Sequence, residues 1–120
     1  MLRIRKQQQD AFSEAQVADF ERRTAVHLRS FFPEDCQALD DPALHELIRH
    51  GIDRAATFGV VSERDVTLYL DVMMTLGPDF DRDPTLPWAY EILIEPELPE
   101  PGRRMRRLFR TTLAHVEGTR

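Results

Sequence analysis

Ser62-Glu63-Arg64-Asp65-Val66-Thr67-Leu68-Tyr69-Leu70-Asp71-Val72-Met73-Met74-Thr75-Leu76-Gly77 reads as one helix with both ends marked. Ser62 can accept from a first-turn amide, and Asp65, three residues on, stands where a capping box has glutamate or glutamine. The helix then runs from about Glu63 to Leu76, and Gly77 stops it. Val66, Leu68, Tyr69, Leu70, Val72, Met73, Met74 and Leu76 leave only a narrow polar stripe through Arg64, Thr67, Asp71 and Thr75. A helix apolar over most of its circumference must be covered by neighbours, so this one is the centre of the fold. Asp71 could be a buried functional acid or a side chain that reaches water along the stripe; the stripe favours the second reading.

Working back from Ser62, Leu44, Leu47, Ile48, Ile52, Ala55 and Phe58 draw the face of a preceding helix. Asp41 can cap it with Pro42 as its first residue, and Gly59 suits the left-handed position after its end. Gly51 sits inside this helix, where it costs about 1 kcal/mol relative to alanine. Close packing against a neighbour explains its presence, which makes Gly51 an expected contact point. Before it, Phe12, Val17, Phe20, Thr24, Leu28 and Phe31 form the stripe of a helix over roughly Ala11 to Phe32, ended by Pro33 and followed by a polar loop holding Cys36. Leu2 and Ile4 precede that pattern and could close over the end of a bundle.

Working forward from Gly77, Gly77-Pro78-Asp79-Phe80-Asp81-Arg82-Asp83-Pro84-Thr85-Leu86-Pro87-Trp88-Ala89-Tyr90 crowds acids, aromatics and prolines together. A short helix from about Leu86 to Ile94 follows, with Thr85 as cap and Trp88, Ile92 and Leu93 inward. Glu95 to Gly102 is a proline-rich connection that cannot continue a helix. The last helix, from about Arg103 to Val116, places Met105, Leu108, Phe109, Leu113 and Val116 inward and leaves much of the rest to arginines. The expected architecture is all-α: a compact single-domain bundle of about five helices spanning residues 1–120, with a buried central helix.

Composition agrees with a folded chain. A length of 120 residues with 42% apolar and 31% charged residues fits one core. No window approaches the roughly 18 apolar residues of a membrane span, and Met1-Leu2-Arg3-Ile4-Arg5-Lys6 runs into Gln7-Gln8-Gln9-Asp10 without a signal-peptide core. The lone Cys36 fits a reducing compartment, so the cytoplasm is the default expectation. A net charge of -5 argues against nucleic acid as main partner. The charge is segregated: residues 78–100 carry seven acids against Arg82, whereas residues 101–120 carry six arginines against Glu117. These segments either face each other or water, or the arginine face docks an acidic partner through bidentate guanidinium contacts.

Catalytic and metal readings fail on spacing. His45 and His50 in His45-Glu46-Leu47-Ile48-Arg49-His50 are five apart, about 140° around a helix, where the zinc-protease motif needs four. His27 and His115 lack a spaced partner, Cys36 lacks a nucleophile context, and no phosphate-cradling glycine loop is present. Asp79, Asp81 and Asp83 match positions 1, 3 and 5 of a calcium loop, but Pro84 and Tyr90 replace its obligatory glycine and glutamate. These acids are better read as caps or partners of arginines, with Phe80, Leu86 and Trp88 pinning the loop to the core. No metal or cofactor is expected.

Ile48-Arg49-His50-Gly51-Ile52-Asp53-Arg54-Ala55, Phe58-Gly59-Val60-Val61-Ser62-Glu63-Arg64-Asp65, Tyr69, Gly77-Pro78-Asp79-Phe80-Asp81 and Leu86-Pro87-Trp88-Ala89 resemble small all-helical proteobacterial proteins encoded beside type VI secretion spike (VgrG) and PAAR-tip effector genes. The resemblance covers most of the chain and implies a cytoplasmic accessory, an adaptor or chaperone that holds an effector or spike component before loading. An immunity protein for the same effector is the near alternative, and a nucleic-acid-binding regulator a more distant one. The expectation is therefore a non-enzymatic protein-binding chain, with Arg103, Arg104, Arg106, Arg107 and Arg110 as contacts and Phe80 and Trp88 as aromatic anchors.

Overall fold

The structure is a computed structural model and describes residues 14–118. It contains six α-helices, α1 (Glu14–Phe31), α2 (Pro33–Gln37), α3 (Asp41–Thr57), α4 (Glu63–Leu76), α5 (Pro87–Leu93) and α6 (Pro101–Gly118), with a 3₁₀ turn at Phe80–Arg82 and no strand among the described residues. The all-α expectation holds. Among the described residues no helix is long and apolar enough to cross a membrane. The expected contributions of Leu2, Ile4 and Phe12 lie outside the described residues.

Helix α4 has the bounds expected from its sequence, and Ser62 Oγ accepts from the Asp65 amide at 3.1 Å. It is the hub: α6 packs along it most extensively, α3 next, while α1 lies chiefly on α3 and touches α4 lightly. Tyr69, Leu70, Val72 and Met73 are buried, and Leu28, Leu44, Ile48, Ile52, Met105 and Leu108 close around them. The molecule is flat, 40 × 36 × 20 Å, so its short dimension is about two helix diameters.

Gly51 is the crossing point of α3 on α4. A Cβ built there would fall 2.7 Å from Met73 Sδ and closer still to Leu70 Cδ2. Absence of a side chain is what lets the two backbones approach. Gly59 ends α3 with φ of 77°, the left-handed value for which glycine suits the position.

Several local expectations are corrected. The cap of α3 is Asp40, whose carboxylate accepts from the Ala43 amide at 2.9 Å, so Asp41 is the first helical residue and Pro42 the second. Pro33 ends α1 and also begins α2, because proline's missing N–H costs nothing in a first turn. Cys36 therefore sits in a helix and is buried, rather than in a polar loop. Phe31 is 69% exposed, and Phe32 packs against the core instead. On α6, Thr112 is buried and Leu113 is 50% exposed; the threonine hydroxyl is accommodated by donating to the Leu108 carbonyl at 2.7 Å. Leu86, not Thr85, precedes α5. Thr85 instead donates to the Asp83 carboxylate through both its amide (2.9 Å) and its hydroxyl (2.7 Å).

Candidate functional site

Because α1 lies chiefly on α3, and α6 on α4, the polar stripe of α4 is only partly covered between them. The result is an open groove of about 740 Å³ lined by His27 of α1, by Arg64, Thr67, Leu68 and Asp71 of α4, and by Arg106, Phe109, Arg110 and Leu113 of α6. Leu68 and Phe109 are partly buried against the core and form an apolar floor, with Leu113 half out of it. A smaller depression continues the groove toward Phe20, Arg23 and Glu63.

The turn of α6 explains which of its residues enter the groove. Arg104, Met105, Leu108 and Thr112 face inward. The groove residues of α6 lie roughly 135° round the helix from that face, at 100° per residue. On another flank, His115 lies 5.4 Å from the Trp88 ring, so α6 separates the α5 surface from the groove.

Arg64, Arg106 and Arg110 are exposed and form no ion pair among the described residues. Near the ends where α4 and α6 start side by side, Gly102 lies against Asp65 and Arg106. The remaining carboxylate of the groove is engaged: His27 Nε2 lies 2.8 Å from Asp71 Oδ1. Burial pushes Asp71 above the ordinary carboxylate range, and His27 only partly offsets this. The pair ties α1 to α4, as does Arg23, whose guanidinium donates to Glu63 at 3.2 Å.

The sequence-selected residues separate into two groups. Arg103, Arg106, Arg107 and Arg110 are exposed on α6, and Arg106 and Arg110 line the groove. Trp88 is half-buried against the core and His115. Arg104 is buried: Nη1 donates to the Leu98 and Pro99 carbonyls at 2.8 and 3.0 Å, and Nη2 to the Phe58 carbonyl at 2.7 Å. A guanidinium gripped by three carbonyls fastens the chain before α6 to the end of α3 and is no contact for a partner. Phe80 is 1% exposed and its ring packs against Tyr69, tilted, at 5.0 Å between centroids; the 3₁₀ turn carries it into the core, so it anchors its own loop rather than another protein.

The same turn disposes of the three aspartates. Asp81 points inward, where Tyr69 Oη donates to its Oδ2 at 2.7 Å and Arg54 Nε at 2.8 Å. Desolvation, and then the adjacent carboxylate, push the Tyr69 phenol far above its ordinary range. Asp79 lies 3.4 Å from His50 and 3.7 Å from Arg82. Asp83 holds Thr85. Three divergent carboxylates do not form a cage, and no three metal-donor side chains converge among the described residues. The histidines of α3 also diverge: His45 approaches Glu21 of α1 at 3.8 Å, beside the Arg49–Glu21 ion pair at 2.6 Å, whereas His50 turns toward Pro78 and Asp79.

The groove offers an apolar floor, three arginines that form no ion pair among the described residues, with Asp65 near Arg106, and one engaged His–Asp pair. Thr67, its nearest hydroxyl on α4, already donates to the Glu63 carbonyl at 2.8 Å. Such a surface is suited to binding an anionic, partly apolar segment. Sequence reasoning missed His27, because its partner Asp71 is 44 residues away. The signal for the rest was present in the polar stripe Arg64, Thr67, Asp71 of a helix otherwise apolar. The chain matches no known protein family model, no curated protein and no solved structure.

Proposed function

We propose that the protein is a non-catalytic accessory that binds another protein through the groove over α4. The observation that carries this reading is the combination of Leu68, Phe109 and half-exposed Leu113 with Arg64, Arg106 and Arg110, none of which pairs with an acid among the described residues. Protein interfaces favour this mixture of apolar anchors and arginine over lysine-rich or uniformly polar surface. In the context implied by the sequence resemblance, the bound protein is a type VI effector or spike component held in the cytoplasm before loading.

The test is affinity capture from the native host with the wild-type chain and with Arg106→Ser/Arg110→Ser. Recovery of an effector or spike protein by the wild type, lost with the double variant at unchanged helicity, supports the reading. Eluates without such a component, or recovery that ignores the groove, refute it.

A further inference from the structure

Resting on the groove as a protein-binding site, we infer that its occupant is an acidic amphipathic α-helix of the partner. The walls decide the conformation. The groove is built from α1, α4 and α6, whose backbone groups are largely engaged within their own helices, and no strand edge is offered among the described residues. An extended peptide would therefore find few backbone partners on the floor, whereas a helix satisfies its backbone internally.

The lining decides the side chains. Leu68, Phe109 and Leu113 offer an apolar seam to residues recurring at i, i+3 or i+4 and i+7. Arg64 on α4, and Arg106 with Arg110 one turn apart on α6, supply cations along the seam. From Arg64 to Asp71 the floor spans seven residues, about 10 Å or two helical turns. Carboxylates flanking the apolar stripe of a short helix thus meet arginines that form no ion pair among the described residues. Asp71 is the one carboxylate in the lining; it is already held by His27 at 2.8 Å, and the three arginines outnumber it. The chain's own residues 1–13 carry Arg3, Arg5 and Lys6 against Asp10, the wrong sign for this groove.

Three peptide probes of about fourteen residues, or four turns, test the assignment by fluorescence anisotropy at about 50 mM salt. One carries a leucine stripe flanked by glutamates, one has those glutamates changed to glutamine, and one is a scrambled isomer of the first. The first should bind, and should weaken by about tenfold or more on neutralisation, on scrambling, and against Arg106→Ser/Arg110→Ser or Leu113→Ser protein. The peptide changes leave the protein's folding untouched, so a poorly folded variant cannot mask the answer. Equal binding of the glutamine probe overturns the acidic requirement, and equal binding of the scrambled one overturns the helix. Displacement of the first probe by single-stranded DNA at equal charge overturns the assignment in favour of nucleic acid. Sedimentation of the protein alone must show no self-association relieved by the double arginine variant; if it does, a second copy fills the groove, offering Tyr90, Glu91 and Ile94 at the exposed side and end of α5. Loss of partner capture with intact probe binding would sink the proposed function and leave the groove's ligand class standing. Groove-dependent capture without probe binding would do the reverse.

Discussion

Gly51→Ala sets two opposed effects against each other. Alanine favours the interior of α3 by about 1 kcal/mol over glycine. The added Cβ, however, would stand 2.7 Å from Met73 Sδ and nearer still to Leu70 Cδ2, where ordinary contact begins at 3.4 Å. Leu70 would have to retreat by about an ångström, although it is 1% exposed and has packed atoms behind it. Overpacking of this kind costs about 1–3 kcal/mol, partly relieved here by the pliant thioether of Met73. The net expectation is a loss of about 1 kcal/mol, or roughly 3–6 °C in Tm for a chain of this size. Urea unfolding followed by far-ultraviolet circular dichroism measures it. The decisive control is the Leu70→Ala background, itself destabilised by about 2–5 kcal/mol. There only the pliant Met73 thioether still stands in the way, and it can shift into the space Leu70 has vacated, so Gly51→Ala should become stabilising by up to about 1 kcal/mol. The reasoning is refuted if alanine stabilises the wild type, or if its effect keeps one sign in both backgrounds.

The remaining expectations concern buried polar groups. Asp81→Ala should cost about 3–5 kcal/mol, because it strands Arg54 and the Tyr69 hydroxyl, whereas Tyr69→Phe, which removes one donor to a charged acceptor, should cost about 1.5–3 kcal/mol; denaturation of both variants with equal midpoints would contradict the network. Asp71 has a folded-state value raised above its ordinary 3.8, so the folded chain holds that proton more tightly than the unfolded chain. Stability from this group is therefore present below 3.8 and lost as pH rises through the raised value. Asp71→Asn should gain Tm relative to wild type over that interval and then level off; a relative loss would mean that His27, not burial, dominates. Cys36 is 1% exposed and its thiol is pushed up mainly by burial, so a thiol reagent should label the native protein far more slowly than the urea-unfolded chain. Comparable rates would show α2 to be open.

The fold was most legible where local chemistry and tertiary packing agree. Ser62 and Gly77 bracket α4, Gly59 closes α3 in the left-handed conformation, and Gly51 marks a close crossing. In each case a single residue type carries a geometric meaning that does not depend on distant sequence. Legibility failed where a residue's role is set by what folds against it. Arg104 differs from Arg103 by one position, or about 100°, but that turn delivers it to the carbonyls of Leu98, Pro99 and Phe58. Phe80 reads both as a pin of its loop to the core and as an anchor for a partner, and only the 3₁₀ turn that lays it against Tyr69 decides for the first. The candidate site was half visible: Arg106 and Arg110 could be named from composition, but the groove exists only because α1 packs chiefly on α3 and covers the α4 stripe in part. No spacing in the chain announces a gap between helices.

Arg104 has a topological consequence. Its grip on Leu98 and Pro99 fixes the chain just before α6, so the register of the groove wall is set after Pro99 and owes nothing to the length of chain upstream. The exposed turn at Pro96 and Glu97 is therefore a seam held only by its own local bonds to Glu95. Residues inserted there cost the two local bonds of the turn, from the Glu97 amide to the Glu95 carboxylate and from the Leu98 amide to the Glu95 carbonyl, and the slowly growing entropy of a longer loop, while new termini opened there would leave the Arg104 clasp and α6 seated. The same insertion two residues later would pull the clasp apart.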